Sequence, residues 1–228
     1  MKVFIEDSCS DDPKRGRVRN AKDPSLEIAR TFRGNPLRES ISFESSGASG
    51  RLICWSGNLG QTLFESNPAT WLSPGHNALN QLCDQWLEVL QHAECLMCFR
   101  PHARHVLNDV QSTLSFLKQR EGQSFGLALD PAGLLEPSML DDVEDHLTRM
   151  FEILGPRCDF LVLHDIQRDE AADELRLVPF GEGLLPAPLL VRLIGETLDP
   201  ATPVVLKPER VDEQLARLEH VEQAGLSI

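Results

Sequence analysis

The sequence predicts an α/β fold in which helices cover a parallel sheet. From about residue 50 onward, short apolar segments typical of strands alternate with longer segments in which apolar residues recur every three or four positions, the spacing of one helix face. The apolar segments are continuous, as expected for strands that are covered on both faces. Strands that alternate with helices of this size form parallel sheets with right-handed crossovers, in a barrel or in an open sheet.

Five pairs of a strand and a helix are expected in this part of the chain. The strands are predicted at Arg51–Trp55, Cys95–Phe99, Phe125–Leu129, Phe160–Leu163 and Pro203–Leu206. The helices are predicted at Asn77–His92, His105–Arg120, Pro137–Leu154, Leu184–Leu198 and Val211–Ala224. Gly122 and Gly155 follow the second and third helices, where glycine commonly ends a helix. Ser138 is a candidate N-cap for the third helix, and Pro186 stands near the start of the fourth, where proline is tolerated.

The first 50 residues are expected to be less regular, because proline, glycine, serine and charged residues are dense there. A first strand is predicted at Lys2–Glu6, a short helix at Pro24–Phe32 and a second strand at Ser40–Phe43, which makes seven strands in all. The basic segment Lys14–Arg19 is predicted to be a solvated loop. Glu44–Gly50 has the composition of a linker, but no domain boundary is convincing, so residues 1–228 are predicted to form a single domain.

The charge balance argues against some partners. The 228 residues carry 22 Lys and Arg against 35 Asp and Glu, a formal net charge of −13. Binding to nucleic acid or to an anionic membrane needs clustered basic residues, so neither partner is expected. The sequence shows neither a secretory signal nor an apolar stretch of roughly 20 residues. Several of the six cysteines, including Cys95 and Cys98, stand in apolar surroundings typical of buried thiols, and a cytoplasmic location is expected.

Four of the predicted strands are followed by an ionisable residue: Arg100, Asp130, His164 and Lys207. Because the carboxyl ends of parallel strands meet at one edge, and sites lie at that edge, these side chains are expected to form a site. Asp130 and His164 are the candidates for catalytic proton transfer, since carboxylates and imidazoles exchange protons. Alternatively, Asp130 caps the next turn, and His164 is held by Asp165 or by a backbone carbonyl.

The two cations at this edge, and one acid, are candidates for substrate binding. Arg100 would bind a carboxylate or phosphate in forked geometry, or would pair with a neighbouring acid such as Asp130. Lys207 would bind an anion, form an ion pair or form a Schiff base, and the ion pair is favoured. Glu182 stands between two glycines in the turn Phe180–Gly183, where backbone N–H groups could approach a ligand. The turn is too short for a dinucleotide-binding fingerprint.

Together these segments resemble the xylose isomerase-like TIM barrel superfamily, which includes sugar phosphate isomerases and epimerases, ketose epimerases and AP endonuclease relatives. The resemblance covers roughly residues 50–210. The segments that match the family in order and spacing are Phe125–Gly133, Phe160–Asp169, Pro179–Leu193 and Val204–Glu209. The resemblance implies a TIM-type (β/α) barrel, either short of one strand or irregular at its N-terminus.

The resemblance also implies a divalent metal held by Glu, Asp, His and Glu at four positions of the barrel edge. This chain keeps Asp130 and His164, but Arg100 and Lys207 replace the two glutamates, and Gly133 replaces a further histidine of the family. Two like unit charges 4 Å apart repel each other by roughly 4 kcal/mol at an effective dielectric of 20. No cofactor is therefore expected, and a divalent metal is kept as the disfavoured alternative.

Two functions follow as alternatives from the resemblance. The first is a sugar phosphate isomerase or epimerase with an altered site, in which His164 and Asp130 transfer protons. In that case Arg100, Lys207 and Glu182 would bind a small sugar, a sugar phosphate or another anionic carbohydrate. The second is a barrel without catalytic activity that binds a ligand or a partner protein. An aldolase with a Schiff base on Lys207 is a minor third option.

Overall fold

A closed barrel of eight strands forms the centre of the computed structural model, which describes residues 1–9, 12–41, 43 and 50–225. Its strands are β1 (Lys2–Ser8), β2 (Arg15–Asn20), β3 (Glu27–Phe32), β4 (Arg51–Trp55), β5 (Leu96–Arg100), β6 (Phe125–Leu129), β7 (Phe160–Val162) and β10 (Pro203–Leu206). β8 (Asp165–Asp169) and β9 (Glu174–Val178) pair with each other as an antiparallel hairpin outside the barrel. The predicted TIM-type barrel is confirmed.

Helices follow most of the parallel strands. They are α1 (Pro68–Trp71), α2 (Ser73–His92), α3 (Val110–Gln119), α4 (Val143–Leu154), α5 (Ala187–Thr197) and α6 (Val211–Gly225). The helix predicted at His105–Arg120 begins only at Val110, because Asp109 caps it through the backbone N–H of Ser112 at 2.6 Å. The helix predicted from Pro137 is a 3-10 segment as far as Asp142, so Ser138 does not cap it.

The N-terminal part of the barrel differs from the prediction. Arg15–Asn20 is a strand and not a solvated loop, because Gly16 and Val18 are buried while Arg15 and Arg17, which alternate with them, are exposed. The segment predicted as a helix, Pro24–Phe32, contains strand β3 instead. Of the strand predicted at Ser40–Phe43, residues 40, 41 and 43 lie outside any strand and residue 42 is outside the described residues. Residues 44–49 of the predicted linker are also outside them.

The barrel is parallel except where it closes. Each strand from β3 through β4, β5, β6, β7 and β10 to β1 pairs in parallel with the next, whereas β2 runs antiparallel to both of its neighbours. Two hairpin turns therefore take the place of the helices that would follow β1 and β2 in a regular barrel. The result is a barrel with eight strands, one more than predicted, that is irregular at its N-terminus as expected.

Apolar side chains fill the barrel and the space around it. The interior holds a cluster that includes Phe4, Val18, Ile53 and Phe160, each 4% exposed or less. Two further clusters lie between the strands and the helices outside the barrel. The cysteines are free thiols, and Cys95 and Cys98 are buried in the core. Within the described residues, none of the helices is both long and apolar enough to cross a membrane.

Candidate ligand site at the barrel mouth

The C-terminal edge of the barrel brings Arg100, Asp130 and His164 into one hydrogen-bonded group. Arg100 donates from Nε (2.9 Å) and from Nη2 (2.5 Å) to the same oxygen, Oδ2 of Asp130. Nη2 also lies 3.0 Å from Nδ1 of His164. Because a guanidinium can only donate, Nδ1 of His164 is the acceptor, and the neutral ring carries its proton on Nε2. The predicted pairing of Arg100 with a neighbouring acid is therefore observed.

Burial and charge set the protonation states of this group. Asp130 is 0% exposed, and burial alone would raise its pKa. The positive charge of Arg100, together with His164, outweighs burial and lowers the pKa of Asp130 below its ordinary value. Burial is the main cause that lowers the pKa of His164, and the nearby charge of Asp130 opposes it only in part. The group is therefore a buried ion pair beside a neutral imidazole.

Glu6, a residue that was not among the predicted site residues, completes the group from β1. Its Oε1 accepts hydrogen bonds from Thr31 Oγ1 (3.0 Å) and Arg33 Nε (2.8 Å), and its Oε2 lies 3.7 Å from Arg100 Nη1. Burial would raise the pKa of Glu6, but Arg100 and Arg33 together hold it below the ordinary value. The predicted strand Lys2–Glu6 itself ends at this acid, so the rule that found the other residues would also have found Glu6.

Lys207 lies at the same edge but does not form the ion pair that the sequence analysis favoured. Its Nζ donates to the backbone oxygen of Leu177, on β9, at 2.9 Å. In the part of the chain that the structure describes, no carboxylate lies within 4 Å of this ammonium group. Lys207 therefore holds the hairpin β8–β9 to the barrel with one of its three N–H donors.

A cavity of about 330 Å³, here called the mouth cavity, opens between these side chains. It is lined by Glu6, Ser8, Arg33, Trp55, Leu63, Phe64, Arg100, His164, Leu177, Lys207, Pro208 and Glu209. Arg100 lies over the Trp55 ring at 4.0 Å, a cation–π contact that fixes the guanidinium. The lining thus combines three cations and two acids with apolar walls.

Glu182 stands apart from the mouth cavity. It forms an ion pair with Arg210 at 3.1 Å and is not among the residues that line the cavity. The N–H groups of the surrounding turn bind the carboxylate of Asp165, with Gly181 N at 3.1 Å and Gly183 N at 2.9 Å from its Oδ2. These N–H groups are therefore occupied by a side chain of the same protein. A role for Glu182 in substrate binding stays a prediction.

Comparison with known proteins supports the fold. No family model matches the chain, and no curated protein sequence matches it. The probable 3-DHS dehydratase involved in petrobactin synthesis from Bacillus anthracis is 14% identical with a TM-score of 0.59, over 88% of this chain and 78% of that chain. A D-tagatose 3-epimerase-like protein is 11% identical with a TM-score of 0.56, over 86% and 78%.

A xylose isomerase-like TIM barrel protein from Mycobacterium smegmatis, solved in complex with magnesium, also matches. It is 12% identical with a TM-score of 0.51, over 79% of this chain and 63% of that chain. The structure thus has the fold of xylose isomerase-like TIM barrel proteins. The TM-scores establish a shared fold. Sequence identities this low carry no information about the reaction.

The residues at the mouth do not fit a divalent metal. Among the described residues, no group of three or more His, Cys, Asp or Glu side chains is placed to hold a metal ion. Arg100 donates two hydrogen bonds to Asp130 and one to Nδ1 of His164, so it covers the ligand atoms that a metal would use. Its guanidinium would also repel a dication. The guanidinium of Arg100 occupies the position that a metal ion would need.

Proposed function

We propose that this barrel binds a small anionic carbohydrate, a monosaccharide phosphate, in the mouth cavity. The observation that carries the proposal is the position of Arg33, Arg100 and Lys207 around one cavity. Arg100 is engaged by Asp130 and His164, but Lys207 uses only one of its three donors in the contact with Leu177. A phosphate offers oxygen acceptors that such donors bind through charge-assisted hydrogen bonds.

The other groups of the mouth cavity suit the hydroxyl groups and the apolar face of a sugar. Nε2–H of His164 is a donor, because Nδ1 is engaged with Arg100. The carboxylate of Glu6 is an acceptor with spare lone pairs. Trp55 and Phe64, whose ring centroids are 5.4 Å apart, give an aromatic wall. A fold shared with a D-tagatose 3-epimerase-like protein supports a sugar as the ligand class.

Binding is favoured over proton transfer by the state of Asp130 and His164. Asp130 is fully buried, is tied to Arg100, and has a lowered pKa, so it is a poor base near neutral pH. His164 has its Nδ1 lone pair engaged and its other nitrogen protonated. Asp130 thus accepts hydrogen bonds from Arg100, whereas His164 accepts one at Nδ1 and keeps Nε2–H as a donor. A sugar phosphate isomerase or epimerase activity is the second candidate, supported by the same His164 at the cavity wall.

Calorimetric titration with D-fructose 6-phosphate and with D-fructose tests the proposal. We expect the phosphate to bind and the neutral sugar to bind at least tenfold more weakly, because one charge-assisted hydrogen bond contributes about 1.5–3 kcal/mol. Lys207→Met should weaken binding of the phosphate by about tenfold or more. Lys118→Met, on the exposed side of α3, is the matched control and should bind like the wild type.

Two further measurements locate the ligand and separate the two functions. The indole N–H signal of Trp55 in a ¹⁵N spectrum, assigned with Trp55→Phe, should shift on adding D-fructose 6-phosphate. Carbon NMR of the same mixture shows whether the sugar is converted. Equal affinities for the phosphate and the neutral sugar would refute the binding proposal. Conversion that is lost in His164→Ala would establish the isomerase or epimerase instead.

A further inference from the structure

We propose that a second cavity beside the mouth cavity binds the second ring of a two-ring carbohydrate, so that the preferred ligand is a disaccharide phosphate. This inference rests on the proposed function, because the phosphate end is assigned to the mouth cavity. The second cavity, here called the side cavity, has a volume of about 240 Å³. His102, Arg104, Gly133 and Glu136 contribute to its wall.

The two cavities share two of their walls. Phe64 and Leu177 line both of them. Phe64 is 47% exposed, although its ring lies against Trp55 and stacks on His105 at 5.2 Å. An exposed aromatic ring between two cavities offers an apolar face on which a ring of the ligand can pack. One ligand that passes over Phe64 would therefore reach both cavities.

The sizes of the cavities favour a ligand that occupies both. Pockets for small molecules have volumes of roughly 300–1,000 Å³. The mouth cavity, at about 330 Å³, is at the lower end of that range, and the side cavity, at about 240 Å³, lies below it. Taken together they fall well within the range. A single sugar ring would leave one of the two compartments filled only with water.

The polar groups of the side cavity are suited to uncharged hydroxyl groups. Nδ1 of His102 accepts the backbone N–H of Arg104 at 3.0 Å, so its proton is on Nε2. Burial is the main cause that lowers the pKa of His102 to about 4, and the ring is therefore a neutral donor at physiological pH. Arg104 and Glu136 lie 3.7 Å apart and balance each other, and Glu174 adds a second acid to the lining, which disfavours an anionic group there. The ligand's charge therefore belongs in the mouth cavity and its neutral ring in the side cavity.

Apolar side chains form the rest of the side cavity. They include Ala132, Leu135, Pro137 and Leu175. A mixture of apolar walls with a few fixed donors and acceptors is typical of pockets that bind small molecules. A sugar ring has the matching chemistry, since its C–H face is apolar and its rim carries hydroxyl groups. The two cavities thus predict a direction for the ligand, with phosphate at the barrel mouth and the second ring toward Glu136.

Calorimetric titration with sucrose 6-phosphate and D-fructose 6-phosphate tests this inference. We expect the two-ring phosphate to bind wild-type protein at least tenfold more tightly than the one-ring phosphate. His102→Ala should remove that advantage and leave the affinity for D-fructose 6-phosphate within twofold of wild type. His92→Ala, at the exposed end of α2, is the matched control and should keep the advantage.

The outcomes separate this inference from the proposed function. If D-fructose 6-phosphate binds and sucrose 6-phosphate binds no more tightly, the side cavity is not a subsite, whereas the mouth cavity still is. If neither phosphate binds, both proposals fall. Arg104→Met, at a half-buried position, gives a second test should His102→Ala fold poorly, and circular dichroism melting checks each variant. The inference would also be overturned if His92→Ala no longer bound sucrose 6-phosphate more tightly than D-fructose 6-phosphate.

Discussion

Arg100 decides the chemistry of the barrel mouth, because it holds two acids and an imidazole around one guanidinium. We expect Arg100→Ala to lower the free energy of unfolding by about 3–5 kcal/mol, since it leaves Asp130 buried without its partner. The same change removes the guanidinium that covers Oδ2 of Asp130 and Nδ1 of His164, two groups that can bind metal ions. Added Mn²⁺ should therefore raise the melting temperature of the variant by several degrees and leave the wild type unchanged.

A second buried arginine gives the control for this prediction. Arg120 is as buried as Arg100, at 7% exposure, and also binds a carboxylate, that of Asp84 on the surface of α2. Arg120→Ala should also lower stability. It does not uncover a carboxylate beside a histidine, so Mn²⁺ should leave the melting temperature of this variant unchanged. A Mn²⁺ response in wild-type protein, or none in Arg100→Ala, would contradict the role of Arg100 as an internal cation.

His102 should make the stability of the fold depend on pH. Its pKa is about 4 in the folded protein and about 6.5 in an unfolded chain. The unfolded state therefore binds the proton more readily, and stability falls as the pH drops from about 6.5 to 4. We expect this residue to contribute roughly 2 kcal/mol to the loss of stability between pH 7 and pH 4.5.

Urea unfolding at these two pH values measures the effect. His102→Gln should reduce the loss of stability between pH 7 and pH 4.5 by roughly that amount, because a glutamine does not titrate. His92→Gln, at an exposed position, is the comparison and should leave the loss as it is in the wild type. An unchanged pH dependence in His102→Gln would rule out this origin.

Individual residues of the mouth could be predicted to a considerable extent. Arg100, Asp130 and His164 were found from the ends of apolar strands, and the structure brings them together. Their hydrogen-bond geometry could not be read from the sequence, because strand position sets which edge a side chain occupies and not which atom it contacts. The contact of Lys207 with Leu177 depends on the hairpin β8–β9, which the sequence analysis did not predict.

Among the elements, the hairpin β8–β9 and the turn beside it are organised by one carboxylate. Asp165, 1% exposed, accepts four backbone N–H groups: those of Ile166 and Leu185 at Oδ1, and those of Gly181 and Gly183 at Oδ2. Asp165→Asn replaces one of these acceptor oxygens with an NH₂ donor. We expect a loss of about 3 kcal/mol in the free energy of unfolding, since buried donors are left without partners.

Asp169, at the other end of β8, is the matched control for this change. It accepts the N–H groups of Ala171 (3.1 Å) and Ala172 (3.3 Å) in an exposed turn. Asp169→Asn should change stability by no more than about 0.5 kcal/mol, because water can satisfy donors that lose their partner there. Equal losses in the two variants, measured by urea unfolding, would show that Asp165 does not organise the turn.

Elements were predictable where their residues are buried on both sides. Arg51–Trp55, Phe125–Leu129 and Pro203–Leu206 have the predicted bounds, because continuous apolar segments of this length fit a covered parallel strand. β2 was missed, since its exposed positions are arginines and only Gly16 and Val18 are buried. Its alternation of polar and small or apolar residues was the available signal.

At the scale of the whole molecule, the barrel closes through β2, which pairs antiparallel with β1 and with β3. This closure is linked to the residues of the barrel mouth. Gly16 on β2 lies between Ser8 on β1 and Thr31 on β3. A Cβ atom at Gly16 would come within 2.7 Å of the backbone oxygen of Asp7 and would collide with the hydroxyl of Thr31. That hydroxyl donates to Glu6, so the tight packing at closure also positions an acid of the mouth.

Gly16→Ala should therefore lower the free energy of unfolding by about 1–3 kcal/mol, the cost of overpacking a close-packed site. Gly195→Ala is the matched control, because it lies in α5 with nothing within 4 Å of the added Cβ. Alanine is the better helix former, so Gly195→Ala should raise stability by about 0.5–1 kcal/mol. Urea unfolding should therefore show a loss of stability in Gly16→Ala and a gain in Gly195→Ala. If Gly16→Ala is as stable as wild type, β1, β2 and β3 are not packed closely enough at Gly16 for their register to position Glu6.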